Sequence, residues 1–255
     1  MATIDRLSSL MQHLEISCSV GSLEEACNFW ILGKNGEPLT LLFHPVTQTR
    51  HILPDTECMA SAKIDIAGTA NPIIFAFPEK VVITLSTKPE LKHIAELLIN
   101  EYETPRCGSD SVFSKLGELL VIHLFRYAIE NNETRPGVLA GLANPNLSAV
   151  IVAIHENPQK SWTIDDFTHI AGMSRSSFMA EFANVMGETP MNYLKNWRLS
   201  MAHSALTRGA RVSETARRVG YSGPEAFSRA FSKSFGISPR EFRQIAQETL
   251  PPNPH

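Results

Sequence analysis

The chain lacks most of the features that announce an enzyme, a metalloprotein or a membrane protein. No apolar run is long enough to span a bilayer. Only four cysteines occur in 255 residues. Cys18, Cys27, Cys58 and Cys107 form no Cys-x-x-Cys pair, and none stands near a histidine at zinc-finger spacing. Buried or inert thiols are therefore expected. There is no phosphate loop, no Gly-x-Ser-x-Gly, no His-Glu-x-x-His and no carboxylate pair set in a motif. Catalytic residues, cofactor and metal are all expected to be absent. Met1 to Leu10 holds one Arg, one Asp and no long apolar core, unlike a secretory signal. The expectation is a cytoplasmic, globular chain with no membrane partner.

What is present is unevenly charged. The net charge of -3 combines an acidic N-terminal part with a basic C-terminal part. Residues 1–145 hold 11 Lys/Arg against 17 Asp/Glu, whereas residues 146–255 hold 12 against 9. Within 195–243 the cations are Lys195, Arg198, Arg208, Arg211, Arg217, Arg218, Arg229, Lys233, Arg240 and Arg243, facing Glu214, Glu225 and Glu241. A basic patch on one domain of an acidic protein suits phosphate binding, although a solvated helical surface would carry the same residues.

The first half reads as strands. Leu14–Val20, Asn28–Leu32, Leu39–His44, Gln48–Leu53, Pro72–Phe77 and Lys80–Ser86 are short apolar or β-branched runs. Turn signals such as Gly33-Lys34-Asn35-Gly36 separate them, which predicts a sandwich or barrel. Two helices follow. Pro89–Tyr102 carries Leu91, Ile94, Leu97 and Leu98, and Ser109–Glu130 carries Val112, Leu116, Leu119, Leu120, His123, Leu124 and Tyr127. They form a hairpin whose broad apolar faces cover the barrel, meet a partner's hairpin, or both. Asn131–Asn146, with Pro136-Gly137, Gly141 and Asn144-Pro145, reads as a hinge.

Beyond the hinge one pattern occurs twice, about 49 residues apart. Ala171-Gly172-Met173-Ser174, Phe178, Phe182, Gly187-Glu188-Thr189-Pro190 and Tyr193 are echoed by Val219-Gly220-Tyr221-Ser222, Phe227, Phe231, Gly236-Ile237-Ser238-Pro239 and Phe242. A duplication at fixed period means one supersecondary unit used twice. Each copy reads as helix, glycine stop, cap and second helix. Thr163 caps the first helix of copy one, and Ser174 caps its second. In copy two Gly223-Pro224 opens the second helix. The phenylalanines at i and i+4 pin each second helix to a core. Thr189-Pro190 and Ser238-Pro239 start further helices, the latter with Glu241 as a capping-box partner. The helix from Thr189 to about Leu206 joins the copies and spans roughly 27 Å. Two helix-turn-helix units on such a rod suit major grooves that recur every ~34 Å along one DNA face.

At these residues the chain resembles the AraC/XylS family of transcriptional regulators. The match runs from about 146 to 246. Its strongest part is Val219-Gly220-Tyr221-Ser222 through Ala226-Phe227-Ser228-Arg229-Ala230-Phe231 to Gly236-Ile237-Ser238-Pro239-Arg240-Glu241-Phe242-Arg243. Met173-Ser174-Arg175-Ser176-Ser177-Phe178 and Gly187-Glu188-Thr189-Pro190-Met191-Asn192-Tyr193-Leu194 match the first unit. The resemblance implies an α+β fold: a cupin-like barrel or sandwich with a helical hairpin, then an all-α DNA-binding domain. It implies a sensor and dimerisation domain at 1–132, with the hairpin at about 89–131. A linker at 133–146 and a DNA-binding domain at 147–246 follow, with helix-turn-helix units at about 164–185 and 212–235. A loose tail occupies 247–255.

The family places the second helix of each unit in the major groove. By position, Arg175, Ser176, Met179 and Ala180 would read bases from the first unit, and Pro224, Glu225, Ala226 and Arg229 from the second. Arg229 would pair with guanine or hold a phosphate. Glu225 would accept from cytosine N4 or cap and orient Arg229. Ser174, Ser177, Lys195, Arg198, Ser228 and Lys233 would contact phosphates. The first reading helix departs from the family in carrying Met179 and Ala180 where longer polar side chains are common, with Glu181 adding negative charge. The resemblance further implies an activator, with double-stranded DNA and RNA polymerase as partners. It also implies a small effector held by the N-terminal domain and a homodimer formed through the hairpin. His44, His51 and His93 do not follow metal-binding cupin spacing. The family's DNA module is also borrowed by methyl-transfer repair proteins, but Cys107 precedes Gly108 and no Pro-Cys-His acceptor occurs.

Overall fold

The computed structural model describes residues 5–12, 14, 16–21, 27–45, 56–66, 77–131 and 134–249. Contacts gather them into two compact units. One is Leu14–Ala143, and the other runs from Asn144 onward together with the N-terminal helix α1 (Ser8–Met11).

The first unit is built on five antiparallel strands: β1 (Ile16–Val20), β2 (Phe29–Lys34), β3 (Glu37–Phe43), β4 (Glu57–Ile66) and β5 (Val81–Thr84). Their order is β1-β4-β2-β3-β5. β2 and β3 close through Asn35-Gly36, both at positive φ (52° and 80°), the two-residue turn that matches strand twist. β2 buries five successive residues, Phe29 to Gly33, so both of its faces are covered. β4 stands next to it and was not expected. Its run Glu57-Cys58-Met59-Ala60-Ser61-Ala62-Lys63 has few β-branched or aromatic residues. Small Ala60, Ser61 and Ala62 are nonetheless buried at its centre. Asn28 extends the ladder with its side chain: Nδ2 donates to the Ile64 carbonyl and Oδ1 accepts from the Ile64 amide, both at 2.8 Å. The expected strand at Gln48–Leu53 lies outside the described residues, as does Pro72–Phe77 except for Phe77. The run at Lys80–Ser86 is β5 followed by a 3₁₀ turn at Leu85–Thr87.

The hairpin forms as α2 (Pro89–Glu103) and α3 (Ser109–Glu130). One face of α3 buries Phe113, Leu120, Val121, Leu124 and Phe125. Gly117 lets α3 lie on β1, because a Cβ there would stand 2.2 Å from Cys18 Cβ. Burial pushes the Cys18 thiol up to about 11. Cys27 is buried too, whereas Cys58 and Cys107 are exposed. Leu97, Val112 and Leu119 are exposed on the hairpin. The hinge expected at Asn131–Asn146 is not wholly irregular. Val138–Ala143 forms a short helix, α4, with Val138, Leu139 and Leu142 buried, so packing against α3 overrides the flanking Pro and Gly signals.

The second unit is helical: α5 (Ser148–Glu156), α6 (Ile164–Ala171), α7 (Arg175–Met186), α8 (Pro190–Thr207), α9 (Val212–Arg218), α10 (Pro224–Phe235) and α11 (Pro239–Thr249). Phe167, Phe178 and Phe182 are fully buried in its first half. In its second half Phe227 and Phe231 pack with Leu199, Ala202, Leu206, Ala216 and Val219. The tail beyond Thr249 lies outside the described residues.

Candidate DNA-binding surface

The repeated sequence becomes two helix-turn-helix units, α6–α7 and α9–α10, and local chemistry accounts for each boundary. Thr163 Oγ1 accepts from the Asp166 amide at 3.2 Å, and the Asp166 carboxylate accepts from the Thr163 amide at 2.8 Å. This closed capping box starts α6. The Thr163 hydroxyl and amide hold the Asp166 carboxyl below its usual range, despite a small opposing effect of burial. Gly172 stops α6 in the left-handed region. Ser174 then caps α7 by accepting from the Ser177 amide at 3.3 Å. Thr189 caps α8 in the same way through the Asn192 amide, at 3.4 Å. The Ser238 hydroxyl accepts from the Glu241 amide at 3.2 Å. At α10, Gly223 is extended and Pro224 takes the first turn, where its missing N–H costs nothing.

The second helices of the two units, α7 and α10, differ in what they expose. On α7, Arg175, Ser176 and Ala180 are exposed and Met179 is half-buried. Arg175 is held by Asp165 at 3.3 Å. The hydroxyls of Ser174, Ser176 and Ser177 cluster at the helix start, with Ser174 donating to Ser177 at 2.9 Å. Glu181 does not stand as a loose charge over this face. Its Oε1 accepts from Asn144 Nδ2 and Asn146 Nδ2, each at 3.0 Å.

On α10, Pro224, Glu225, Arg229 and Lys233 are exposed, while Ala226 and Ser228 are half-buried. Glu225 and Arg229 stand one turn apart, yet neither forms an ion pair among the described residues. Arg211, Arg217, Arg218 and Arg240 are likewise exposed and outside any ion pair among the described residues. The second unit thus presents exposed cations that no ion pair among the described residues engages. In the first unit Lys160 and Arg175 are matched by Asp166 and Asp165.

On α8, Lys195 is exposed and donates to Asn192 Oδ1 at 2.7 Å. Asn192 and Asn196 in turn donate to the half-buried Glu188 carboxylate, at 2.5 and 2.9 Å. Burial raises the Glu188 carboxyl, and those two amides act against it. Arg198, expected as a phosphate contact, is bonded within the protein. Its Nε donates to the Pro158 carbonyl at 2.6 Å and its Nη2 to the Lys160 carbonyl at 2.8 Å. Burial lowers the guanidinium's pKa. No sequence signal marks this role, since both carbonyls lie about 40 residues upstream.

The sequence has counterparts among known proteins. Residues 167–245 match a family described as a helix-turn-helix domain, and residues 54–130 match one described as a cupin. The HTH-type transcriptional regulator AlkR of Acinetobacter baylyi is 35% identical over 180 residues, 68% of this chain and 58% of that protein. A putative AraC-like transcription regulator of Streptomyces lividans is 33% identical over 139 residues, 54% of this chain and 46% of its own length. The chain thus spans about half the length of these two relatives. The RCS-specific HTH-type transcriptional activator RclR of Escherichia coli is 28% identical over 206 residues, 79% of this chain and 72% of that protein. With an AraC-type helix-turn-helix domain over 167–245 and a cupin domain before it, the chain belongs to the AraC/XylS family of transcriptional regulators.

Proposed function

We propose that this chain binds specific sites in double-stranded DNA and regulates transcription from them. The observation that carries the reading is the set of exposed cations on the second of two helix-turn-helix units, outside any ion pair among the described residues. The 18-residue helix α8 joins those units. In this reading α10 reads bases through Arg229, with Pro224, Glu225 and Ala226 shaping the contact. α7 reads through Arg175 and Ser176, with Met179 and Ala180 against thymine methyls. Ser174, Ser177, Lys195, Ser228 and Lys233 hold phosphates. A small effector acts through the N-terminal unit, and the exposed Leu97, Val112 and Leu119 of the hairpin form a homodimer seam. RNA polymerase is the downstream partner, the effect on transcription is activation, and the place of action is the cytoplasm.

The test is selection of an operator from random duplex DNA by the full chain, followed by titration at several salt concentrations. Binding with log K falling steeply against log salt is expected. A chain that retains no duplex at low salt overturns the reading.

A further inference from the structure

We infer that Arg198 is a positioning residue that locks the second helix-turn-helix unit against the first, and so sets the one spacing of DNA segments that both units can read. The inference rests on the DNA-binding reading above and deepens it.

Three observations meet at this side chain. The first is its pair of bonds to the turn between α5 and α6, which leads into the first unit: Nε to the Pro158 carbonyl at 2.6 Å and Nη2 to the Lys160 carbonyl at 2.8 Å. A planar fork can serve two carbonyls at once, which an ammonium cannot do with the same geometry. The second is Gly220, the glycine in the turn of the second unit, at φ +81°. A Cβ there would stand 2.9 Å from Arg198 Nη2, 2.7 Å from Gln159 Cα and 2.9 Å from the Gln159 carbonyl oxygen. The turn of the second unit therefore lies directly on the loop of the first, with the guanidinium at the seam. The third is Tyr221, half-buried beside it, whose hydroxyl is raised by burial while the nearby Arg198 charge acts against that shift. The equivalent glycine of the first unit, Gly172, has nothing within 4 Å of its would-be Cβ. Close packing at the turn is thus particular to the second copy and is not a general need of the motif.

The physical consequence concerns relative placement. The second unit packs on the C-terminal half of α8 through Leu199, Ala202 and Leu206, and with its turn untied it could still tilt on that core relative to the first unit. Arg198 ties α8 to the entry loop of the first unit and, at the same point, abuts the turn of the second. With that joint closed, α7 and α10 present one separation and one relative rotation. Each base pair added between their DNA segments rotates one segment by roughly 34° and shifts it by about 3.4 Å. A locked pair of units cannot follow such a change without losing one set of contacts.

The experiment uses the full chain and an operator selected on the wild type, together with versions carrying one or two base pairs inserted or removed between the two contacted segments. Kd is measured for wild type, Arg198→Met and Gly220→Ala on each duplex, and for wild type and Arg198→Met at several salt concentrations. Folding is checked by circular dichroism. For the wild type a misspaced operator is expected to bind roughly tenfold or more weakly, and in both variants that penalty falls to about two- to threefold. The Arg198→Met salt slope is expected to equal that of the wild type, because Arg198 displaces no phosphate counterion. A slope reduced by about 0.9 with the spacing penalty intact makes Arg198 a phosphate contact and overturns the inference. If Arg198→Met does not fold, Gly220→Ala opens the same seam without removing a cation, and a full spacing penalty in that variant also overturns it. A wild-type chain that selects no operator instead overturns the DNA-binding reading, and this inference falls with it.

Discussion

The Glu181 carboxylate on α7 accepts hydrogen bonds from Asn144 and Asn146, the residues that open the helical unit, through Nδ2 atoms at 3.0 Å each. Asn144 Oδ1 in turn accepts from the amides of Asn146 and Leu147, at 2.9 and 3.0 Å. A side chain that reads in the sequence as a loose surface charge thus fastens α7 to the start of its own domain.

This tie predicts a difference between two substitutions. Glu181→Ala leaves both asparagine amides without their acceptor and is expected to cost about 1–2 kcal/mol. Glu181→Gln keeps an acceptor oxygen and is expected to cost less than half as much. Urea unfolding followed by circular dichroism measures both. Equal losses would mean that the charge matters and the bonds do not.

The two turn glycines are expected to respond unequally to alanine. Gly172 needs only its left-handed backbone, φ +64° with open space around it, so Gly172→Ala is expected to cost about 1–2 kcal/mol. Gly220→Ala adds a Cβ 2.7 Å from Gln159 Cα, where backbone must move, and is expected to cost more than Gly172→Ala. Thermal melts of the two variants side by side give the ranking.

Base preference is expected to follow α10 more than α7. Arg229→Ala is expected to relax preference at one base pair by about 1–3 kcal/mol. Met179→Ala is expected to leave the preference nearly as it was. Binding of each variant to a panel of single-base operator variants decides the matter. A preference lost on Met179→Ala and kept on Arg229→Ala would reverse the assignment of the dominant unit.

Stability is expected to fall in acid partly through Asp166. Its carboxyl is held below the usual range, first by the Thr163 hydroxyl and then by the Thr163 amide. A depressed folded-state value stabilises the fold above the unfolded carboxyl's range. That contribution disappears as pH falls through the lower, folded value. Asp166→Asn is expected to flatten the melting temperature against pH below about pH 4 relative to wild type. Parallel curves for the two proteins would remove Asp166 from the acid response.

The helical unit was largely legible because its signals are local. Thr163, Ser174 and Thr189 cap the helices that follow them. Gly172, Gly187 and Gly236 end helices at positive φ. Phe178, Phe182, Phe227 and Phe231 are all fully buried, as i and i+4 aromatics on one helix face would be. The N-terminal sheet was less legible. Over Glu57–Lys63 β4 has no β-branched or aromatic residue, and its strand character there comes from neighbours on both sides, β1 and β2. α4 hides among glycines and prolines and is helical because Val138, Leu139 and Leu142 have a face to bury.

The sequence by itself determined the duplication, the helix boundaries and the sign of charge on each half, because caps, glycine stops and side-chain periodicity act over a few residues. Tertiary structure alone decided which charges stay available. Arg198 and Glu181 read as surface charges in the chain. In the fold Arg198 is bound to carbonyls about 40 residues away, and Glu181 is held by the asparagines where the helical unit begins. Arg229 stays exposed, and no carboxylate among the described residues comes close enough to pair with it.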